Sequence, residues 1–252
     1  MVGVIFRFAL EMEPFVLLLV EKLVSELSKL LLVDVGNTRI KFMAADSPEI
    51  KYADSFDSLP LQGVNEVRVA TVSRHKEIAN WSQSITPAVR VARVTKCHKG
   101  LTVAYDDESR LGVDRWLAML ALWVENQKSF SVIDLGTAIT ADFVDDTGMH
   151  LGGYITPGYR LMKEALGVHT AQVGFGGNSS RLEPGHNTEC CVDHGINRMV
   201  FSWLADIQHM ESEDKLFVLT GGDAEKALEA GYGLDAEIDR TLVIRGLRYC
   251  FE

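Results

Sequence analysis

Short apolar runs that end in polar, glycine-containing turns recur along most of the chain. The run LLLV at 30–33 ends in the turn DVGNT at 34–38, and a second strand-like run follows over 39–45. Apolar runs bounded by such turns are typical of buried β-strands. The pattern therefore predicts two strands joined by a turn that is rich in polar groups.

The same pattern returns one hundred residues later. The run at 131–133 leads into DLGT at 134–137, and an alternating strand over 138–144 follows. A third apolar run, 216–219, ends in TGGD before a helix that begins at Ala224. Two strand–Asp-x-Gly–strand units indicate a duplicated fold whose halves each supply one loop to a cleft. Two ordinary hairpins whose turns contain Asp and Gly are the alternative.

Two further segments have helical patterns. Residues 114–126 carry apolar side chains on most sides, which predicts a buried helix. From Phe15 onward, leucines at helical spacing predict an amphipathic helix. Charged residues and Pro14 interrupt this N-terminal segment, and no small-residue cleavage site follows it, so a targeting role is not favoured. We treat residues 1–29 as an extension without an assigned role.

Composition narrows the class of protein. The chain has 252 residues, 47% of them hydrophobic, and its formal net charge is −10. The negative net charge repels the phosphate backbone of nucleic acids, so we expect no nucleic-acid partner. The four cysteines form no CxxC pair, and no run of 18 apolar residues occurs. We therefore expect a cytoplasmic protein with no membrane span.

The two Asp-x-Gly loops have the chemistry of a nucleotide site. Gly36 and Gly136 let the backbone approach a ligand closely, because no Cβ stands in the way. Asp34 and Asp134 would repel phosphate, so their expected role is to hold a hard cation such as Mg²⁺. Lys41 adds a positive charge. The candidate phosphate donors are the side chains of Asn37, Thr38 and Thr137.

Other nucleotide-binding designs are absent from the sequence. The chain contains no GxxxxGK[ST] phosphate loop and no GxGxxG after a strand. Four-residue spacing of His186, Cys190 and His194 could present a metal-binding face on a helix, but no second ligand cluster accompanies it. Small buried hydrophobic cysteines are the alternative interpretation.

Asp114 has two interpretations. It stands at the start of the predicted helix, where aspartate is a common N-cap. It could also be a general base that accepts a hydroxyl proton during phosphoryl transfer. The residue alone leaves both open.

The motifs resemble the type III pantothenate kinases of the acetate kinase, sugar kinase and actin superfamily. The resemblance implies two actin-like, ribonuclease-H-like α/β domains, residues 30–128 and 129–252, with a nucleotide cleft between them. The motifs that carry it are DVGNTRIK at 34–41, Tyr105, LGVDRW at 111–116, DLGTAITAD at 134–142, HLGGYITPGYRLMKEAL at 150–166, NT at 187–188 and LTGGDA at 219–224.

Roles for individual residues follow from this resemblance. Asp114 is implied as the catalytic base, and Asp134 as the ligand of a monovalent cation, K⁺ or NH₄⁺, beside the Mg²⁺ carried with ATP. The implied ATP contacts are Asp34, Val35, Gly36, Asn37, Thr38, Arg39, Ile40, Lys41 and Thr137. The implied substrate contacts are Tyr105, Gly112, Val113, Asp114, Arg115 and Thr188. The family is dimeric, with the segment after Gly152-Gly153 at the interface.

The resemblance implies that the protein phosphorylates pantothenate to 4′-phosphopantothenate with ATP, the first step of coenzyme A synthesis. One alternative is a catalytically inactive nucleotide-binding regulator, a transcriptional partner, of the same fold. Another is a sugar kinase of the same superfamily, which the short chain and the GVDRW segment disfavour.

Overall fold

The computed structural model describes residues 29–36, 39–169, 179–210, 215–229 and 234–251. The helix expected from Phe15 onward lies outside these residues. The described part forms two compact units, one of residues up to Arg93 together with 250–251, the other of Val94–Tyr249. The boundary near residue 128 was expected between the duplicated halves, which differ from these two units, and it stays a prediction.

The first unit is built on a five-stranded sheet. Its elements are β1 (Leu30–Val35), β2 (Ile40–Ala44), β3 (Lys51–Ala53), β4 (Glu66–Thr71), helix α1 (His75–Ser82) and β5 (Ala88–Val91). The strand order is β3-β2-β1-β4-β5. The central strand β1 pairs antiparallel with β2 and parallel with β4, and its apolar side chains are buried. Near-continuous apolar runs are typical of such central strands.

The second unit begins with a small hairpin of β6 (Cys97–His98) and β7 (Leu101–Thr102) and holds another five-stranded sheet. The strands of this sheet are β8 (Phe130–Leu135), β9 (Ala138–Val144), β10 (His150–Pro157), β11 (Leu216–Thr220) and β12 (Glu237–Ile238). Their order is β10-β9-β8-β11-β12. Its helices are α2 (Val113–Asn126), α3 (Tyr159–His169), α4 (Thr188–Met210), α5 (Ala224–Glu229) and α6 (Leu242–Tyr249). Within the described residues, no helix is long and apolar enough to cross a bilayer.

The two sheets have the same topology. In each, an antiparallel three-stranded meander is extended by two parallel strands. Asp34 and Asp134 both occupy the fifth position of a six-residue first strand. The predicted duplicated α/β fold is therefore confirmed, and the predicted strand over 138–144 has the observed bounds of β9.

Helix α2 is buried on nearly all sides, as its sequence predicts, and begins at Val113, one residue before the predicted start. It packs against α6 within the second unit. The close approach depends on Gly246 of α6, since a Cβ there would lie 2.3 Å from the carbonyl oxygen of Leu117. A backbone atom cannot move aside as the end of a side chain can, so this crossing requires glycine.

Replacing Gly246 with alanine tests this packing. Alanine favours a helix over glycine by about 1 kcal/mol, but we expect Gly246→Ala to lower the free energy of unfolding by roughly 1–3 kcal/mol because it overpacks the α2–α6 contact. Gly195→Ala in α4 is the matched control, because a Cβ there meets nothing within 4 Å. It should be neutral or stabilising. Urea unfolding followed by circular dichroism measures both; equal effects of the two variants would contradict the packing role.

Candidate active site

The β1–β2 turn carries the first Asp-x-Gly loop. The Gly36 N–H donates to the Arg39 carbonyl at 3.1 Å. Asp34 and Lys41 are cross-strand partners, with 3.8 Å between Oδ2 and Nζ. A lysine and a carboxylate therefore stand together at the end of the strand pair. The expected phosphate donors Asn37 and Thr38 lie outside the described residues.

The other three expected phosphate-loop residues differ in what they can offer a ligand. Val35 and Ile40 are buried in the core of the first unit, so only their backbone groups could reach a ligand. Arg39 is exposed, and its guanidinium lies 5.8 Å from the ring centroid of Tyr52. A ligand phosphate could therefore recruit its charge.

Asp114 lies in the first turn of α2. The N-cap of this helix is Gly112, so the interpretation of Asp114 as the cap is wrong. Its Oδ1 accepts the Arg115 N–H at 2.9 Å, which folds the carboxylate back over the turn. A Cβ at Gly112 would lie 2.5 Å from that oxygen, so a larger residue there would displace the carboxylate from this position.

Burial raises the pKa of the Asp114 carboxyl above its ordinary value, and the nearby Asp142 acts in the same direction. The backbone hydrogen bond and the positive charge of Arg115 lower this pKa, but they do not outweigh the loss of water. A carboxylate whose charged form is poorly solvated is a better proton acceptor than an exposed one.

The Arg115 side chain is buried against strand β9. Its Nε donates to Asp142 Oδ2 at 2.8 Å and its Nη2 to Asp142 Oδ1 at 2.6 Å, which is a bidentate ion pair. Its Nη1 donates to the Tyr105 hydroxyl at 3.0 Å. Gly153 of β10 makes room for the pair, because a Cβ there would lie 2.7 Å from both Arg115 Nη2 and Asp142 Oδ1. The glycine motif of β10 thus encloses this ion pair.

His150 is the fourth side chain of this buried network. Its Nε2 lies 3.0 Å from Asp142 Oδ1, and its Nδ1 accepts the Ala104 N–H at 3.4 Å. Because Nδ1 is the acceptor, Nε2 carries the proton and donates to the carboxylate. The His150 and Tyr105 rings are stacked with an interplanar angle of 11°.

Asp134 lies beneath a cradle of glycines at the end of β8. A Cβ at Gly221, whose φ is +94°, would lie 2.4 Å from Asp134 Oδ1, and one at Gly136 would lie 3.2 Å from it. Thr137, beside this cradle, has an exposed side chain, and its carbonyl accepts the Gly158 N–H at 3.0 Å. The loop thus places an exposed hydroxyl three residues after a partly exposed carboxylate.

The donors around Asp134 suit a hard cation. A carboxylate with neighbouring backbone carbonyls supplies oxygen ligands, and the missing Cβ atoms leave the space that an ion would need. Among the described residues, no three His, Cys, Asp or Glu side chains gather as metal ligands. Asp134 would therefore share an ion with oxygens of the backbone, of water or of a ligand phosphate.

Thr188 is the first residue of α4, and its side chain is exposed. Asn187 caps this helix by accepting the Cys190 N–H at 2.8 Å. His186 precedes the helix, and the ring of His194 is bonded to the Glu183 carbonyl at 2.7 Å. The metal-binding face considered from sequence is therefore not formed, since one of its three residues lies outside the helix.

Comparison with known proteins decides the family. A model described as type III pantothenate kinase matches residues 50–209. A type III pantothenate kinase of Marinobacter nauticus is 37% identical over 241 residues, covering 86% of this chain and 96% of the relative. One of Pseudomonas aeruginosa is 35% identical over 239 residues, covering 85% and 96%. The chain belongs to the type III pantothenate kinases.

Solved structures agree with this family in fold. A chain described as a Baf family transcriptional activator from Campylobacter jejuni superimposes with a TM-score of 0.57 at 21% identity, covering 86% of this chain and 95% of that one. A chain described as a 2-dehydro-3-deoxygalactonokinase protein from Sinorhizobium meliloti gives 0.51 at 12% identity, covering 86% and 96%. At these identities the likeness concerns the fold alone.

Membership of the type III pantothenate kinases indicates which substrates an active site of this chain must accept. Kinases of this family act on ATP and pantothenate. ATP implies a divalent cation such as Mg²⁺, which neutralises phosphate charge during transfer. The described residues place Tyr105, Asp114 and Arg115 together, and Asp134 beside Thr137. Thr188 is the first residue of α4.

Two residues of this site had no role in the sequence analysis. Asp142 and His150 occur in the quoted motifs, but their partners are distant in the chain: Asp142 pairs with Arg115, 27 residues away. A usable signal was present, because Asp142 is the single charged residue in the strand AITADFV. A buried carboxylate needs a partner, and only the fold identifies that partner as Arg115.

The glycine cradle gives a testable prediction. Gly221→Ala places a Cβ against Asp134 and against the Leu135 carbonyl, 2.5 Å away, at a positive φ that alanine rarely adopts. We expect the KM for ATP to rise by about tenfold or more, since the strain and the displaced loop cost more than about 1.4 kcal/mol. The control Gly222→Ala meets nothing within 4 Å and should stay near the parent. Steady-state kinetics of both variants, with thermal midpoints, give the comparison; matching ATP KM values would contradict it.

Proposed function

We propose that this protein transfers the γ-phosphoryl group of ATP to the primary hydroxyl of pantothenate, giving ADP and 4′-phosphopantothenate. Membership of the type III pantothenate kinases supports the reaction. The observation that carries the mechanism is the Asp114 carboxylate, held at the start of α2 with a raised pKa beside Arg115 and Tyr105. This is the reaction that opens coenzyme A synthesis.

Asp114 is the proton acceptor in this mechanism. The pantothenate hydroxyl gives its proton to the Asp114 carboxylate as its oxygen bonds to the γ-phosphorus. The bond from that phosphorus to the β–γ bridging oxygen breaks, and the electron pair leaves with ADP. Because phosphoryl transfer needs little covalent chemistry from the protein, positioning and charge neutralisation supply most of the rate.

The proposal assigns the ATP phosphates to the Asp-x-Gly loops. Residues 34–41 supply backbone N–H groups and the charges of Arg39 and Lys41, and Thr137 supplies a hydroxyl. Support comes from their shared position after the first strand of each sheet, where parallel strands end. Ligands of open α/β sheets bind at such strand ends.

We assign a monovalent cation, K⁺ or NH₄⁺, to Asp134. The oxygen donors and the glycine cradle fit such an ion. A bound cation would supply positive charge beside the phosphates. The proposed pantothenate subsite is formed by Tyr105, Gly112, Val113, Arg115 and Thr188.

The proposed assembly is a homodimer formed through β10. This strand lies at the edge of its sheet and exposes Leu151, Tyr154 and Ile155, the last to 64%. With Met199 and Trp203 of α4, two of these side chains line an apolar depression of about 320 Å³. An exposed apolar edge strand is unfavourable unless it is covered.

We place the enzyme in the cytoplasm, where ATP is supplied. We also propose that residues 30–128 and 129–252 form its two actin-like halves.

No observation favours the inactive regulator of the same fold. The Campylobacter jejuni structure shares only the fold, which does not determine activity. The proposed base Asp114 and the proposed site residues Arg115, Asp134 and Thr137 are all present, which disfavours an inactive protein.

A coupled assay of ADP release tests the function. The parent protein with ATP, Mg²⁺, K⁺ and pantothenate should release ADP and form 4′-phosphopantothenate, which mass spectrometry identifies. A panel of sugars in place of pantothenate should give no ADP above background. Absence of pantothenate turnover under these conditions, or preferential turnover of a sugar, would overturn the proposal.

Asp114→Asn separates chemistry from structure. The amide keeps the shape and can still accept the Arg115 N–H, but it cannot take a proton, so kcat should fall by about 10²–10⁴. The KM for ATP should change little, because the ATP contacts lie in other loops. Near-parental turnover would show that Asp114 is not the base.

The raised pKa of Asp114 fixes the direction of its pH effects. Activity of the parent should fall with acidification at a higher pH than an ordinary aspartate would give, because the base must be ionised. Folding favours the protonated form of this group, so its contribution to stability is present at acid pH and is lost as the pH rises through the folded pKa. Asp114→Asn should therefore be at least as stable as the parent at pH 7, measured by urea unfolding.

Asp134→Ala tests the cation. The parent should be activated by K⁺, and the variant should lose that response while its dependence on Mg²⁺ persists. Asp146→Asn, at the far end of β9 with an exposed carboxylate, is the control for loss of one negative charge. A K⁺ response of Asp134→Ala equal to that of the parent would exclude Asp134 as the ligand.

A further inference from the structure

The hydrogen-bonded network around Arg115 begins and ends on two residues that are neighbours in the chain, Ala104 and Tyr105. The Ala104 N–H donates to His150, His150 and Arg115 both donate to Asp142, and Arg115 donates to the Tyr105 hydroxyl. Strands β9 and β10 and the first turn of α2 therefore hold the Ala104 N–H and the Tyr105 hydroxyl in place. Such a ring of hydrogen bonds fixes the position of Tyr105 more firmly than a single contact could.

The guanidinium of Arg115 is largely used up by this network. Three of its five N–H groups are bonded to Asp142 and Tyr105, and its side chain is 7% exposed. Asp142, which is 2% exposed, compensates its charge. An anionic substrate that took Arg115 for itself would leave a buried carboxylate without its partner, which is costly. Direct binding of the pantothenate carboxylate by Arg115 is therefore disfavoured.

The Tyr105 hydroxyl is in the opposite situation. It accepts the Arg115 N–H, so its own proton points away from the guanidinium. Among the residues that the structure describes, none accepts that proton, and the Tyr105 side chain is only half-buried. A hydroxyl that accepts from a cation is also polarised, which strengthens the hydrogen bond it can donate.

We propose that Arg115 is a positioning residue that acts on pantothenate through Tyr105: Asp142 and His150 hold the guanidinium, and Tyr105 donates the hydrogen bond to the substrate. The inference rests on the proposed function and changes the role of Arg115 within it. Asp142 and His150 become determinants of substrate affinity although neither reaches the substrate.

A double-mutant cycle distinguishes action through Tyr105 from direct contact. The four proteins are the parent, Tyr105→Phe, Arg115→Lys and the double variant, assayed for kcat and for the KM of each substrate. We expect Tyr105→Phe to raise the KM for pantothenate by about tenfold, the size of one hydrogen bond to a charged group. Arg115→Lys should raise it severalfold in the parent and by less than about twofold in the Tyr105→Phe background, because coupled residues are not additive.

Two further variants protect the test against misfolding. His150→Leu removes one support of Asp142, and should raise the KM for pantothenate in the parent but not in the Tyr105→Phe background; His150→Gln, which retains an N–H donor, should restore part of the loss. Glu125→Gln is the matched control. Glu125 lies on the same helix and accepts from Arg245 at 2.8 Å and from the Tyr249 hydroxyl at 3.0 Å, so it repeats the Arg–carboxylate–Tyr chemistry away from the proposed site.

The outcomes separate the two proposals. A rise in the KM for pantothenate that is coupled between Arg115 and Tyr105, with the KM for ATP and the Glu125→Gln control unchanged, supports the positioning role. If Arg115→Lys and His150→Leu each raise the KM for pantothenate by the same factor in the parent and in the Tyr105→Phe background, the positioning role is overturned. The proposed phosphorylation of pantothenate would not be affected by that result. A parent that neither binds pantothenate in calorimetry nor phosphorylates it would overturn the proposed function, and this inference with it.

Discussion

The ion pair between Arg115 and Asp142 is the constraint on which the second unit depends. Removing two charges from water costs several kcal/mol per ion, and only good geometry with further hydrogen bonds offsets that cost. The bidentate pair, the His150 contact and the Tyr105 hydroxyl supply those bonds. Because Arg115 follows Asp114 directly, the same pair fixes the first turn of α2 against β9 and so sets where the carboxylate stands.

The pair also accounts for local sequence that otherwise looks arbitrary. Gly153 is needed because a Cβ there would lie 2.2 Å from the Ala141 carbonyl oxygen, and it would also lie 2.7 Å from the guanidinium and from the carboxylate. Gly112 leaves room for the Asp114 carboxylate, which would lie 2.5 Å from a Cβ at that position. Buried ion pairs are weak evidence for stability, since apolar replacements of similar shape are often as stable. The position of this one beside Asp114 and Tyr105 favours a role in placing functional groups.

Local patterns in the sequence predicted the elements well and the contacts between them poorly. The strand over 138–144, the buried α2 and the helix from Ala224 follow from periodicity and turn residues, and the structure confirms them. Asp114 was considered as a helix cap because caps are read from local sequence, whereas the structure gives that position to Gly112. Arg115, the partner of Asp142, and Gly221, which lies against Asp134, come from distant segments, so no local pattern could assign them.

The half-buried Tyr105 beside an arginine that is already paired with Asp142 also bears on inhibitor design. Compounds intended for an arginine usually carry an anionic group, but here such a group would compete with Asp142 for the guanidinium. A neutral acceptor aimed at the Tyr105 hydroxyl would find a donor already oriented and polarised, with no buried charge to uncover. Compounds directed at Tyr105 should therefore be built around a carbonyl or ether oxygen, not around additional negative charge.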